Sequence, residues 1–526
     1  MTARLPSRAG PEAPTRAAVR PRARRLGRGH ASIVGARPPA AALPSPDVDP
    51  AALIGVESAA EELGRRFADA GHQLYLVGGT VRDALLQRPS EDLDFTTDAR
   101  PDDVLKLVSA GGAPTWTTGI AFGTVGVQWA GRRCEITTFR ADRYDRVGRN
   151  PQVEFGHSLD GDLRRRDFTM NAMALSVPDR TFFDPFGGLA DLARGLVRTP
   201  APAEESFADD PLRMLRAVRF VAQLDGINGV PMDVDADVLA AMTAMFGELA
   251  RITPERVQVE LDKLLLGRNP RAGLRLLVDT GLADVVLPEL PALRMAADEH
   301  GQHKDVYLHT LQVLQQAIDL EDSGPDLVLR WAALLHDVGK PATRRFEPGG
   351  KVSFHHHEVV GARLVRARLS ALRYPKDVVE DVAHLVFLHL RFYGYGDAEW
   401  TDAAVRRYVT DAGEQLDRLN KLVRSDCTTR NRRKAAKLAE DYAELEHRIA
   451  ALRQQEELDR IRPDLDGNQI MALLDIPAGP LVGRAYRHLL DVRMERGPLP
   501  REEAEAELRR WAAAELAPPG SAVPPR

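Results

Sequence analysis

Cysteine is almost missing from this chain. Cys134 and Cys427 are the only thiols in 526 residues. That excludes a disulfide framework and points to a reducing compartment, so the cytoplasm is the expected location. Long apolar runs are missing too: no stretch of eighteen or more appears, so no membrane span is expected. There is no excess of positive charge, since 71 Lys and Arg face 76 Asp and Glu. A global basic field for nucleic acid is therefore excluded, and phosphate contacts would depend on local patches. No internal repeat of solenoid period is visible.

What is present suits a soluble chain of several domains, with 44% hydrophobic residues to build cores. Residues 1–50 stand apart, with nine Arg, nine Pro and three acidic residues. They read as a disordered basic arm. A transit peptide is the other reading, although the prolines argue against an amphipathic helix. From 51 to 188 the pattern is mixed. A helix over 51–71 leads into the apolar strand "QLYLVGG", and "DLDFTT", "FGTVGVQWA" and "RRCEITTFR" also read as strands. Beyond "DPFGG" almost everything reads as helix. The expected fold class is α+β, with an α/β head at 51–188 and helical regions at 189–292, 293–430 and 431–516. A frayed tail occupies 517–526.

The chemistry starts at "LYLVGGTVRDALLQRPSEDLDF". Asp92 and Asp94 are two apart, which on a strand puts both carboxylates on one face. Paired hard oxygens suit Mg2+ together with substrate phosphates. Glu135, on "CEITTF", offers a third carboxylate from another strand, or is simply an exposed strand residue. Gly78 and Gly79 end a strand ahead of a helix, where bare backbone can approach an anion. Arg82 adds a planar donor matched to phosphate. Together these residues describe a site for in-line nucleotidyl transfer.

The motifs "GGTVRD", "EDLDF", "RRDFTMNAMAL", "DPFGGLADL", "DDPLRMLRAVRF" and "ERVQVELDKLL" occur in that order. In this they resemble the class II, bacterial-type tRNA nucleotidyltransferase and poly(A) polymerase family, over about residues 60 to 270 and more loosely to about 510. The resemblance implies a polymerase-β-like head followed by all-helical neck, HD body and tail. It implies that Asp92 and Asp94 hold Mg2+, and that Gly79 and Arg82, beside Gly78, bind the incoming nucleotide. It gives Asp167 and Asn171 a nucleotide-binding role, with Arg166 near the phosphates. Four residues apart, Asp167 and Asn171 would share a helix face and can bond a ribose hydroxyl. The alternative is Asp167 as a helix cap.

In "FADDPLRMLRAVRF", Asp210 before Pro211 is a natural helix cap, and Arg213, Arg216 and Arg219 at spacing three would ordinarily be a solvated stripe. Asp210 and Arg213 can also act as a protein template. The carboxylate accepts from the exocyclic amine of cytosine or adenine, and the guanidinium donates to the neighbouring ring acceptor. Guanine and uracil would leave buried polar groups unpaired. The family uses this pair in that way, and Arg216 and Arg219 correspond to further nucleotide-binding arginines. Asp209 departs from the family's Glu-Asp motif and leaves the templating pair intact. The polar stretch 137–153 resembles a loop that helps the family switch from C to A addition.

A second metal site is suggested further on. His336-Asp337 closes an apolar helical run that Gly339 and Pro341 stop. With His309 before it and Asp426 after it, the pair resembles the H…HD…D constellation of HD-domain phosphohydrolases. His357, His384 and His389 would extend it. Such ligands suit a second divalent metal, or a retained signature without turnover. "RNRRKAAK", at 430–437, either meets a tRNA backbone or is a solvated helix face. "DGNQIMALLDIPAGPLVG" resembles the family's C-terminal helical region, which would hold the tRNA body. The expected activity is CCA addition to the tRNA 3′ end from CTP and ATP. Poly(A) polymerase on the same scaffold, an HD phosphohydrolase with an RNA-binding head, and a non-catalytic RNA-binding protein are the competing readings. Oligomeric state is not legible.

Overall fold

The computed structural model describes residues 50–55, 57–90, 92–109, 112–140, 155–156, 158–295, 305–348, 352–392, 400–428, 431–456 and 461–515. The arm, the frayed tail and most of the polar stretch at 137–153 lie outside the described residues.

One sheet carries the head. Its strands are β1 (Leu74–Val77), β2 (Asp92–Thr97), β3 (Thr115–Trp116), β4 (Thr124–Trp129), β5 (Arg132–Thr138), β6 (Ala174–Val177) and β7 (Phe182–Phe183). Their order is β3-β4-β5-β2-β1-β6-β7, with β2 and β5 parallel and the other neighbours antiparallel. The sheet is therefore mixed, and the chain is α+β. Alternation along β1 decides its two faces: Leu74 and Leu76 join the main core, whereas Tyr75 and Val77 join a smaller cluster with Phe139, Leu163 and Ala174. All four β1 residues are buried, as a central strand covered on both faces requires.

The expected helix over 51–71 is broken. Pro50–Leu53 forms a short turn, and Ser58–Asp69 forms the helix proper after Glu57 adopts an extended cap. Helices then dominate from Ala203 onward, but two small pairings interrupt them. Leu196–Val197 runs parallel to Asp233–Val234, and Arg345–Phe346 pairs antiparallel with Val352–Ser353. Two residues per strand leave too little alternation for a sequence pattern to show.

The main core runs without a break from the head through the helices Leu212–Gln223 and Pro254–Leu265 into the bundle around Leu327–Leu335. The C-terminal helices Gly467–Leu474, Pro480–Arg496 and Arg501–Glu515 pack on their own cluster of Leu465, Ile470, Ala485, Leu489, Ala504 and Leu508. Gly479 and Pro480 lead into the second of these helices, as the motif suggested. Among the described residues no helix is long and apolar enough to cross a membrane.

A buried arginine joins the middle of the chain to the bundle. Arg330 is 4% exposed and meets Glu321 through Nε and Nη2 at 2.7 and 2.6 Å. Its Nη1 donates to the carbonyls of Leu265 and Gly267 at 2.6 and 3.1 Å, at the end of the Pro254–Leu265 helix. Removing one member would strand the other charge in the core. Arg330→Ala should therefore cost about 3–5 kcal/mol of stability, read as a lowered denaturant midpoint. A cost near zero would mean that the pair is incidental to the junction.

Candidate active site

The turn after β1 sets the geometry. Gly78 has φ 66° and ψ −132°, a conformation that only glycine takes readily. A side chain there would also meet Arg166 Nη1, 3.1 Å from its Cβ, with Asp94 Oδ2 at 3.9 Å. At Gly79 the nearest groups are Arg82, Asp83 and again Asp94. Two bare backbone positions thus lie against two carboxylates and two guanidinia. Thr80 fixes this turn to β2: its Oγ1 donates to the Asp92 carbonyl at 3.3 Å and accepts from the Asp94 amide at 2.9 Å.

On β2, Asp92 and Asp94 alternate with buried Leu93 and Phe95, so both carboxylates share a face. Glu135 sits opposite Asp94 in the parallel β2–β5 register. The expected trio therefore lies on neighbouring strands. Arg133 stands between two of its members, with Nε 3.8 Å from Asp92 and Nη2 3.1 Å from Glu135. Burial is the main force on Asp94. With the charges of Glu135 and Asp92 it outweighs Arg166 and Arg82 and pushes the carboxyl up to about 6. A hard divalent ion beside Asp94 would relieve that repulsion, so the donor set fits one.

Asp167 and Asn171 meet, but not on an α-helix. Residues Thr169–Asn171 form a 3-10 turn, with Met170 and Phe168 buried. Asn171 Nδ2 donates to Asp167 Oδ1 at 2.9 Å, and Arg82 Nη1 donates to Asn171 Oδ1 at 2.7 Å. Arg216 closes the row, with Nη2 2.6 Å from Asp167 Oδ2. Burial works against the Asp167 carboxylate, but Arg216 and Asn171 outweigh it and hold the group far below the usual range.

The stripe of arginines is not a solvated face. Arg213 donates to Ser206 Oγ at 2.8 Å and to the Arg165 carbonyl at 2.7 Å. Arg219 is 7% exposed and bonds Glu260 at 2.6 Å, turned into the interior. That is a structural anchorage. Asp210 accepts from the Leu212 amide at 3.1 Å, so it does cap the helix, and from Arg256 Nη2 at 2.8 Å. Capping and base reading are compatible, because a carboxylate has about four acceptor sites.

Several partners escaped the sequence reading. Asp83 grips Arg82 through both oxygens at 2.9 and 2.8 Å. Asp162, fully buried, holds Arg165 and Arg166 at 3.0 Å each. Arg256 and Glu260 lie inside the motif "ERVQVELDKLL" and pair with Asp210 and Arg219, partners far away in the chain that no local pattern marks.

A second constellation assembles in the helical half. His309 Nε2 lies 3.0 Å from Asp426, and His336 Nε2 lies 3.3 Å from Asp337. His357 and His389 join them, as expected. His384 does not: it bonds the Asp411 carbonyl at 2.7 Å on the far side of the Lys376–Leu388 helix. Five residues from His389 is about 140° around a helix axis. Gly339 permits the close turn after His336-Asp337, since a Cβ there would sit 2.0 Å from the His357 carbonyl. Burial opposes charge on His336, but Asp337 and then Asp426 push it up to about 10, while burial and His336 push His389 down to about 4.

Three family models match the chain: "Poly A polymerase head domain" at residues 74–198, "Probable RNA and SrmB-binding site of polymerase A" at 231–293 and "HD domain" at 306–431. The A-adding tRNA nucleotidyltransferase of Deinococcus radiodurans is 34% identical over 440 residues, covering 83% of this chain and 95% of that protein. The CCA-adding enzyme of Geobacillus thermodenitrificans is 43% identical over 306 residues, covering 58% of this chain and 68% of that protein. The chain spans about half the length of other CCA-adding relatives, such as that of Ligilactobacillus salivarius, 42% identical over 218 residues and 51% of that protein. Among solved structures, the CCA-adding enzyme of Bacillus stearothermophilus in complex with CTP is 27% identical with a TM-score of 0.62, covering 87% of this chain and 98% of that one. The Thermotoga maritima CCA-adding enzyme complexed with tRNA shares the fold at 18% identity and a TM-score of 0.56, covering 89% and 99%.

The Asp94 environment has a measurable cost. Its folded pKa stands above the unfolded value, so the carboxylate carries no penalty below about pH 4 and a growing one through about pH 6. Asp94→Asn should stabilise the metal-free protein by about 2–3 kcal/mol at pH 8 and by almost nothing at pH 4. Equal effects at both values in chemical denaturation would show that the charge is not the cause.

Proposed function

The chain belongs to the tRNA nucleotidyltransferase family, and on that premise we propose that it adds C, C and A to the 3′ end of tRNA from CTP and ATP without a nucleic-acid template. The observation that carries this reading is the convergence of Gly78, Gly79, Arg82, Arg166 and Asp94 at one turn, joined through Asn171 and Asp167 to the arginine-bearing helix Leu212–Gln223.

In this reading Asp92 and Asp94 hold the divalent ion, Mg2+, and Glu135 completes the acidic face. When bound, that ion brings the tRNA hydroxyl and the triphosphate together and offsets their charge. The paired glycines let the triphosphate lie against backbone, and Arg82 and Arg166 face its oxygens. Asp83 and Asp162 keep those guanidinia extended. Asn171 and Asp167 meet the ribose, and Arg216 holds Asp167 charged for that contact. Asp210 and Arg213 read the base edge. Each keeps hydrogen-bonding capacity beyond its protein partners, four acceptor sites on the one and five N–H donors on the other. Cytosine and adenine both present an amine beside a ring acceptor, so one pair serves both additions.

The tRNA body would lie along the helical half, with Arg432, Arg433 and Lys434 exposed on the Arg432–Glu456 helix as candidate phosphate contacts. The His309–His336–Asp337–Asp426 cluster would hold a second divalent metal. Two thiols in the whole chain agree with a cytoplasmic enzyme. A second reading, addition of A alone, is favoured by the near full-length match to the Deinococcus enzyme.

The test is incubation with tRNA truncated before, within and after CC, with CTP and ATP offered singly and together, and sequencing of the 3′ ends. Fixed CCA ends support the proposal. A alone on CC-ended tRNA supports the second reading, and long A tracts would point to a poly(A) polymerase. Asp210→Ala should relax discrimination of CTP over UTP by roughly tenfold to a hundredfold, the range of one bidentate base contact. Unchanged selectivity in a folded variant removes the templating role.

A further inference from the structure

The acidic face of the head sheet carries a cation of its own. In the parallel register of β2 and β5, Asp92 stands opposite Arg133 and Asp94 opposite Glu135. Arg133 and Glu135 are two apart on β5, and Cys134 between them is buried in the core. Period two therefore puts Arg133 on the same face as the three carboxylates. The backbone register fixes that placement, whatever rotamer the side chain takes. Arg133 Nη2 donates to Glu135 Oε1 at 3.1 Å, and Nε lies 3.8 Å from Asp92 Oδ1. One guanidinium thus faces two of the three carboxylates.

A second observation shows what holds that guanidinium in place. Trp116 on β3 stands opposite Gly126 on β4, and Gly126 stands opposite Glu135. A Cβ at Gly126 would lie 1.9 Å from the Trp116 indole, at Cε2 and Nε1, so the ring rests on bare backbone. From that seat the indole reaches Arg133, whose guanidinium carbon lies 5.2 Å from the ring centroid. That is within range of a cation–π contact. Four adjoining strands therefore build one arrangement, with an aromatic ring and a pair of carboxylates around a single guanidinium. The side chains of Arg133, Asp92 and Glu135 are 53, 46 and 38% exposed. Ion pairs as open as these are weak by themselves, so they can yield to a competing cation.

We propose that Arg133 is a built-in counter-ion of the head, competing with a divalent ion for Asp92 and Glu135, and that Trp116 positions it. The proposal rests on the reading that the acidic face holds such an ion. Two cations on one face repel each other. At about 5 Å in water, a guanidinium weakens the binding of a divalent ion roughly tenfold. The free head thus keeps two carboxylates partnered without an ion, and takes one only at a higher concentration than the bare carboxylates would. A nucleoside triphosphate at the glycine turn would add negative charge to the same face and draw Arg133 away from its carboxylates. Arg133 is therefore a device that couples loading of the ion to arrival of the nucleotide.

Manganese titration of the full-length chain, without tRNA or nucleotide, tests this. Manganese is a hard divalent probe that carboxylates accept. The head's share of the binding is what the double variant Asp92→Asn, Asp94→Asn loses, which sets aside any ion held in the histidine cluster. Arg133→Ala and Arg133→Gln should bind that share roughly tenfold more tightly than the wild type. Arg133→Lys keeps the charge and should stay close to the wild type. Trp116→Ala frees the guanidinium without removing it and should give a smaller gain. Lys106→Ala takes a positive charge from an exposed helix elsewhere on the head and should give none. Unchanged or weaker affinity in both Arg133→Ala and Arg133→Gln overturns the proposal and leaves the acidic face standing as an ion site. Wild-type affinity in Trp116→Ala removes the positioning role. Binding that the double variant retains in full overturns the ion reading of the head, and the counter-ion with it.

Discussion

The contact between Arg216 and Asp167 is the one on which the rest of the head depends. An enzyme that chooses bases without a template must hold its phosphate side and its base side in a fixed relation. The residues proposed for the phosphate side stand on a sheet and those proposed for the base side on a helix, and nothing in the local fold of either dictates their distance. Arg216, Asp167, Asn171 and Arg82 form a continuous row of bonds from the helix Leu212–Gln223 to the turn after β1. Phe220 seals the junction, with the guanidinia of Arg82, Arg216 and Arg219 around its ring at 5.2, 5.7 and 3.9 Å. Beneath it, the ion pair of Arg219 with Glu260 ties that helix to Pro254–Leu265. The order of the chain is thus head, clamp, support, tied by the Arg216–Asp167 and Arg219–Glu260 pairs.

Much of this was legible in the residues, for physical reasons that can be stated. Asp92 and Asp94 share a face because a strand has period two, and no tertiary detail can change that. The helix ending at His336-Asp337 was legible because eight consecutive buried residues leave little else for a sequence to be. What failed was whatever depended on a distant partner. The arginines at spacing three look solvated until Asp167 and Glu260, far away in the chain, turn up beside them. The contact between Asp167 and Asn171 was foreseen, but through the wrong element. A 3-10 turn, Thr169–Asn171, also brings neighbouring residues together. His384 was misplaced by proximity in sequence alone, since its spacing from His389 already put it on another face.

The two halves handle unpaired charge differently. The head leaves a carboxylate, Asp94, short of partners, so its interior favours a neutralising cation. The histidine cluster sets its imidazoles against Asp337 and Asp426, which draw a proton onto His336. Arg330 spans the region between them, satisfying Glu321 on one side and the frayed carbonyls of a helix end on the other.

The separate packing of the last three helices has a consequence for how the molecule yields to force or heat. Because Leu465, Ile470, Ala485, Leu489, Ala504 and Leu508 form a cluster of their own, opening that region would break polar contacts such as Arg406 Nη1 to the Met494 carbonyl at 3.0 Å rather than the main core. In the proposed reaction, a part that lets go first suits a protein that must grip a long, stiff substrate and release it after each finished product.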